Sequence, residues 1–100
     1  MIAKEVRAMT FTCQVAIGVE HFWGSEDEYT KWFERDFYFL VVPRVGEIIW
    51  LSDSIDLLVS AVEHGFVDDG PPVIRLVTRM VAERFHRHRE FLESWGFTSS

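Results

Sequence analysis

A single cysteine, Cys13, leaves no partner for an intrachain disulfide, so the 100-residue chain has to fold by burial alone. Proline is held to three residues and glycine to six, which removes collagen-like and low-complexity classes. No apolar run approaches the ~20 residues that span a bilayer. The longest is Phe37 to Pro43. Met1 to Thr10 carries Lys4, Glu5 and Arg7 and no apolar stretch of secretory length, so a soluble, cytoplasmic protein without a membrane role is expected. Lysine is scarce as well, outnumbered by arginine eight to two. Positive charge is in deficit, and a net charge of −6 argues against a dedicated binder of nucleic acid or acidic membrane.

Apolar residues are plentiful. They make up 48% of the chain against 26% charged, the composition of one globular domain over residues 1–100 with one core. Aromatics reach 15%, four of them Trp, which is more than one small core readily absorbs. Charge is divided unevenly. Residues 1–70 hold 5 basic and 13 acidic side chains, whereas residues 71–100 hold 5 basic and 3 acidic. The basic residues of the second part are Arg75, Arg79, Arg84, Arg87 and Arg89. Three placements suit them: against the acidic body of the same chain, against a neighbouring subunit or, least of all, on nucleic acid, whose phosphates the rest of the surface would repel.

Val6 to Val19 alternates, with Met9, Phe11, Cys13, Val15, Ile17 and Val19 on one side, and predicts a long half-buried strand. Cys13 then faces the core as a small hydrophobe, with nothing nearby in sequence to activate its thiol. Ser25 and Glu28 have capping-box spacing, and Tyr29, Trp32 and Phe33 fall at i, i+3, i+4; this predicts a short inserted helix ending near Asp36. Phe37 to Val42 and Ile48 to Leu51 read as strands, separated by an Arg44-Val45-Gly46-Glu47 turn. Ile55 to Phe66 fits a helix by local spacing. It is read as a strand because Ile48 to Leu51 needs a partner and Ser52-Asp53-Ser54 is hairpin-sized. Val73 to Met80 alternates as a further strand, and Val81 to Trp95 returns to helical spacing with Gly96 as its stop.

The stretch Val42-Pro43-Arg44-Val45-Gly46-Glu47-Ile48-Ile49, with Val59, Val62, His64 and the later Val73, Leu76 and Val77, resembles small bacterial and phage proteins of β-barrel or β-roll type. In those a Pro-x-Val-Gly-Glu turn introduces a meander of strands. The resemblance covers about a third of the chain and implies no activity. The fold expected from all of this is α+β: a curved, mostly antiparallel sheet of four or five strands, as a small open barrel or β-roll of Src-homology-3-like form. A short inserted helix and a C-terminal helix complete it.

Catalytic signatures are missing. The chain holds no Gly-rich phosphate loop, no Gly-x-Ser-x-Gly, no His-Glu-x-x-His and no Cys-x-x-Cys. Adjacent Asp68 and Asp69 do not match the alternating ligands of a calcium loop. Glu83, His86 and Glu90 share one helical face and are the best metal candidates, although a solvated, ion-paired surface (Glu83 with Arg87, His86 with Glu90, Arg89 with Glu93) explains them more simply. His64 follows Glu63 at a strand end, and His21 sits beside Phe22 and Trp23; both read as structural or exposed histidines. No cofactor is called for.

Two functions of different class follow. The first is a non-enzymatic interaction or assembly module that forms a homodimer, with Trp23, Trp50 and Trp95 in an exposed apolar patch and Arg84 and Arg87 as charged contacts. The second is a small-ligand or metal-dependent catalytic domain with an aromatic-lined pocket near His64 or His86.

Overall fold

The computed structural model of the chain describes residues 10–20, 30–66 and 72–99. Its first element, β1 (Phe11–Glu20), follows the alternation in the sequence: Cys13, Val15, Ile17 and Val19 are fully buried on one face. The next, β2 (Thr30–Phe39), pairs antiparallel with β1 in an unbroken register from Phe11 opposite Phe39 to Glu20 opposite Thr30. Residues 30–36 are therefore strand, not the end of an inserted helix. Lys31, Phe33, Arg35, Phe37 and Phe39 alternate with Trp32, Glu34, Asp36 and Tyr38, and the long ladder to β1 outweighs the i, i+3, i+4 spacing of three aromatics. The Ser25–Glu28 capping box lies outside the described residues.

After Phe39 the chain bends and turns at Arg44 to Glu47. The Glu47 amide donates to the Arg44 carbonyl at 3.0 Å, and Gly46 takes a φ of +91°, which the third position of such a turn demands. The Gly46 amide donates to the Val59 carbonyl (2.8 Å) and the Val59 amide to the Glu47 carbonyl (2.9 Å), so the turn is tied to a hairpin. That hairpin is β3 (Ile48–Ser52) with β4 (Ile55–Leu58), a two-stranded sheet of its own. The strand reading of Ile55 to Phe66 holds, but the strand breaks at Val59 and Ser60. There the chain steps across to the main sheet, with the Ser60 amide donating to the Val77 carbonyl at 2.8 Å. β5 (Ala61–Phe66) pairs antiparallel with β6 (Pro72–Val81).

The main sheet runs β5-β6-β1-β2-β7, where β7 is Thr98–Ser99. It is mostly antiparallel, as expected, but mixed, because β6 lies parallel to β1, with Cys13 beside Ile74 and Glu20 beside Val81. Nor does it close into a barrel. β3 and β4 leave the sheet plane to form a second layer, since Leu51, Ile55 and Leu57 turn into the core from that side. The fold is α+β, with one helix among the described residues.

That helix, α1 (Ala82–Ser94), starts directly from β6 and shares the second layer. It buries Phe85 and Leu92 against Val15, Ile17, Phe33 and Leu76 in a single cluster that also takes in the inner face of the hairpin. The Phe33 and Phe85 ring centroids are 4.2 Å apart. Each such side chain contributes about 1.5–3 kcal/mol on burial. Thr78, the buried polar residue of this face, donates its hydroxyl to the Ala16 carbonyl at 2.9 Å. The helix ends as its sequence predicts. Gly96 has a φ of +96°, its amide donates to Glu93, and the Phe97 amide donates to Leu92, a Schellman closure that folds Phe97 into the core.

Candidate interaction surface

Alternation in the β3–β4 hairpin decides which side chains meet water. Ile49 stands opposite Leu57 on the inner face, while Ile48 opposite Leu58 and Trp50 opposite Asp56 form the outer face. Ile48, Trp50 and Leu58 are all exposed, Trp50 to 65%. The end of β2 and the segment leaving it add more bare apolar surface: Tyr38 is 78% exposed, Leu40 65% and Val41 77%. Between the two runs an open groove of about 380 Å³, lined by Phe39, Val41, Val42, Ile48, Ile49 and Trp50 among others. Its lining offers one carboxylate, Glu47, which already accepts from the Arg44 amide. A groove of this make-up can take up apolar side chains. It lacks the converging polar groups of a catalytic pocket.

Trp95, the other described tryptophan candidate, lies elsewhere. It caps the C-terminus of α1, stacks on Phe91 with centroids 5.1 Å apart, and stands 5.9 Å from the Arg35 guanidinium. Arg35 itself covers the Phe37 ring at 4.2 Å. Trp23 lies outside the described residues. The sequence therefore marked two aromatic outposts on different elements, and it missed Ile48 and Leu58, the companions of Trp50. A fully apolar strand carries no signal of which alternate residues will be left bare.

The arginines are occupied within their own chain. Arg84 reaches the Asp56 carboxylate of β4 at 2.7 Å, and Arg87 pairs with Glu83 at 3.5 Å along the helix. Arg89 pairs with Glu93 at 3.5 Å. Arg79 pairs with Glu20 across the sheet. Arg75 bridges Glu63 (3.2 Å) and Glu34 (3.9 Å), with its guanidinium 4.6 Å from the centroid of Trp32. Trp32 in turn lies over Gly18, where an added Cβ would come within 2.9 Å of the indole. The five arginines thus meet acidic groups of the same chain, the first of the placements that the charge division allowed.

Catalytic chemistry finds little footing. Among the described residues no three His, Cys, Asp or Glu side chains gather to hold a metal, so Glu83, His86 and Glu90 share a helix without forming a centre. His64 is exposed on β5, and the His86 ring meets Phe85 edge-on at 5.8 Å. Neither histidine lines the groove at Trp50. The Cys13 thiol is buried, and burial pushes its pKa above the ordinary value, which disfavours the thiolate. No family model, curated protein or solved structure matches this chain. No helix among the described residues is long and apolar enough to cross a membrane.

Proposed function

We propose that this chain is a non-enzymatic interaction and assembly module of the cytoplasm that associates with itself through apolar surface. The observation that carries the reading is the bare outer face of the β3–β4 hairpin, continued by the exposed Leu40 and Val41. Contiguous exposed apolar surface rimmed by charge is the usual mark of a partner site on a small domain. Closed two-fold pairing is the commonest way to cover such a surface with identical chains. The charged groups of the C-terminal part are spent on intrachain pairs, so association is driven by apolar burial rather than by steering between subunits.

Light scattering over a dilution series tests this. The expected mass is twice 11.7 kDa at high micromolar concentration, falling towards 11.7 kDa on dilution. Joint replacement Ile48→Ser and Trp50→Ser is expected to shift the wild-type dimer to monomer. A mass that stays near 11.7 kDa at every concentration and at moderate salt removes the proposal.

A further inference from the structure

Of the four side chains on the outer face of the β3–β4 hairpin, three are apolar and the fourth is Asp56, directly opposite Trp50. Ile48, Trp50 and Leu58 are each half exposed or more, so among the described residues nothing lies over this face. A carboxylate in its middle would bar a partner, because covering it strips an unpaired charge of its water. Here the charge is answered from outside the hairpin. Arg84 of α1 places its Nη2 2.7 Å from the Asp56 carboxylate and 3.5 Å from the Ser54 carbonyl. As a contribution to folding, a part-exposed pair of this kind is minor. Its effect on the face is larger. With Asp56 matched to Arg84, and Glu47 to Arg44 at the neighbouring turn, this surface is electrically balanced although the chain carries −6.

We infer that this face docks on the same face of a second copy, and that Arg84 makes the docking possible by holding the Asp56 charge matched. The inference rests on the self-association reading and gives it a geometry and a controlling residue. The two hairpins stack outer face to outer face, about 10 Å apart, around a two-fold axis that lies between them. The dimer then has four layers: main sheet, hairpin, hairpin, main sheet. Two balanced faces meet without the like-charge repulsion that acidic bodies impose elsewhere.

The extent of the surface fits this occupant. A standard interface covers about 800 Å² on each partner, about 450 Å² of it apolar. Ile48, Trp50 and Leu58 supply apolar surface of that order together with Val41, which lines the same groove as Ile48 and Trp50. Trp50 is the anchor, a large ring whose burial excludes most water. Arg84 is a positioning residue in this arrangement. It acts through Asp56 rather than by touching the second copy, which sets it apart from Arg87, whose pairing with Glu83 stays within the helix.

The test is a double-variant cycle read by sedimentation equilibrium. Arg84→Met keeps the stem and removes the charge, leaving two unmatched carboxylates inside the dimer, and is expected to weaken dimerisation about tenfold or more. Asp56→Asn leaves Arg84 long enough to reach water and is expected to stay within about threefold of wild type. Combining Asp56→Asn with Arg84→Met is expected to return the dimer to within about threefold as well. An Arg84 that merely braces α1 against the hairpin makes Asp56→Asn and the double variant as weak as Arg84→Met. That result overturns the inference, and so does a dimer that ignores Arg84→Met. Leu58→Asp, at an exposed position, puts a further carboxylate on the same face and is expected to dissociate the dimer; a dimer that tolerates it docks elsewhere. If the inference fails in one of these ways while Ile48→Ser with Trp50→Ser still dissociates the dimer, the broader proposal stands. A wild type that is monomeric throughout leaves the face to a partner of another kind and overturns both.

Discussion

The main sheet and the β3–β4 hairpin each give one face to the common core, but they treat their second faces differently. Over the middle of the sheet that face is covered by paired charges, although Tyr38 at the end of β2 stays bare. Arg75 lies on Trp32 between Glu34 and Glu63, and Arg79 pairs with Glu20. Such exposed pairs are individually worth about 0–1 kcal/mol, yet they cover the aromatic surface with long, well-hydrated side chains. On the hairpin the second face carries Ile48, Trp50 and Leu58 with Asp56, whose carboxylate is drawn away to Arg84. One surface is dressed with charged side chains and the other is left apolar. Under the proposed self-association, the contrast separates residues that hold the fold from residues that would hold a partner.

Three changes probe that separation beyond the tests given above. Phe85→Ala removes the ring on which both layers close and is expected to cost about 3–5 kcal/mol. Urea unfolding followed by fluorescence and by circular dichroism should then show both layers melting together; a hairpin signal that survives would make the two layers independent. Cys13, at the centre of the same core, gives a smaller and pH-dependent effect. Its thiol ionises less readily when folded, so the unfolded chain loses its proton first as pH rises above about 8.5. The stabilisation from the neutral thiol is complete below that value and declines above it, by at most about 1.4 kcal/mol per pH unit. The stability gap between wild type and Cys13→Ala should therefore narrow between pH 7.5 and 9.5, and a gap that widens contradicts the burial. Trp50→Ser, examined under monomeric conditions, should alter unfolding free energy by no more than about 0.5 kcal/mol. A loss comparable to that of Phe85→Ala would place Trp50 in the core and erase the contrast between the faces.

Elements whose structure depends on neighbours along the chain were legible in the sequence. β1, β6 and α1 follow their periodicities, and Gly46 and Gly96 take the left-handed backbone that their turn and helix stop require. Ile55 to Phe66 was settled as strand by what flanks it rather than by its own pattern. Residues 30–36 were misread because Tyr29, Trp32 and Phe33 also satisfy helical spacing, and the deciding partner, β1, lies across a connection. The parallel direction of β6 was hidden for the same reason. At the surface, Trp50 was marked by residue type alone. Ile48 and Leu58 became visible only once the register fixed the outer face, and Arg84 only once Asp56 was seen beside it.

The parallel pairing of β1 with β6 also sets an order of events in synthesis. Thr78 closes on Ala16 from 62 residues further along the chain. At roughly 5–20 residues per second, β1 emerges several seconds before the strand that will flank it. During that interval β1 and β2 can join only as a hairpin, and Val15, Ile17 and Val19 wait without their cover from Phe85 and Leu92. Long-range closure of this kind slows folding. The nascent chain therefore passes through a stage in which an apolar strand is complete while the helix that covers it has not yet been made.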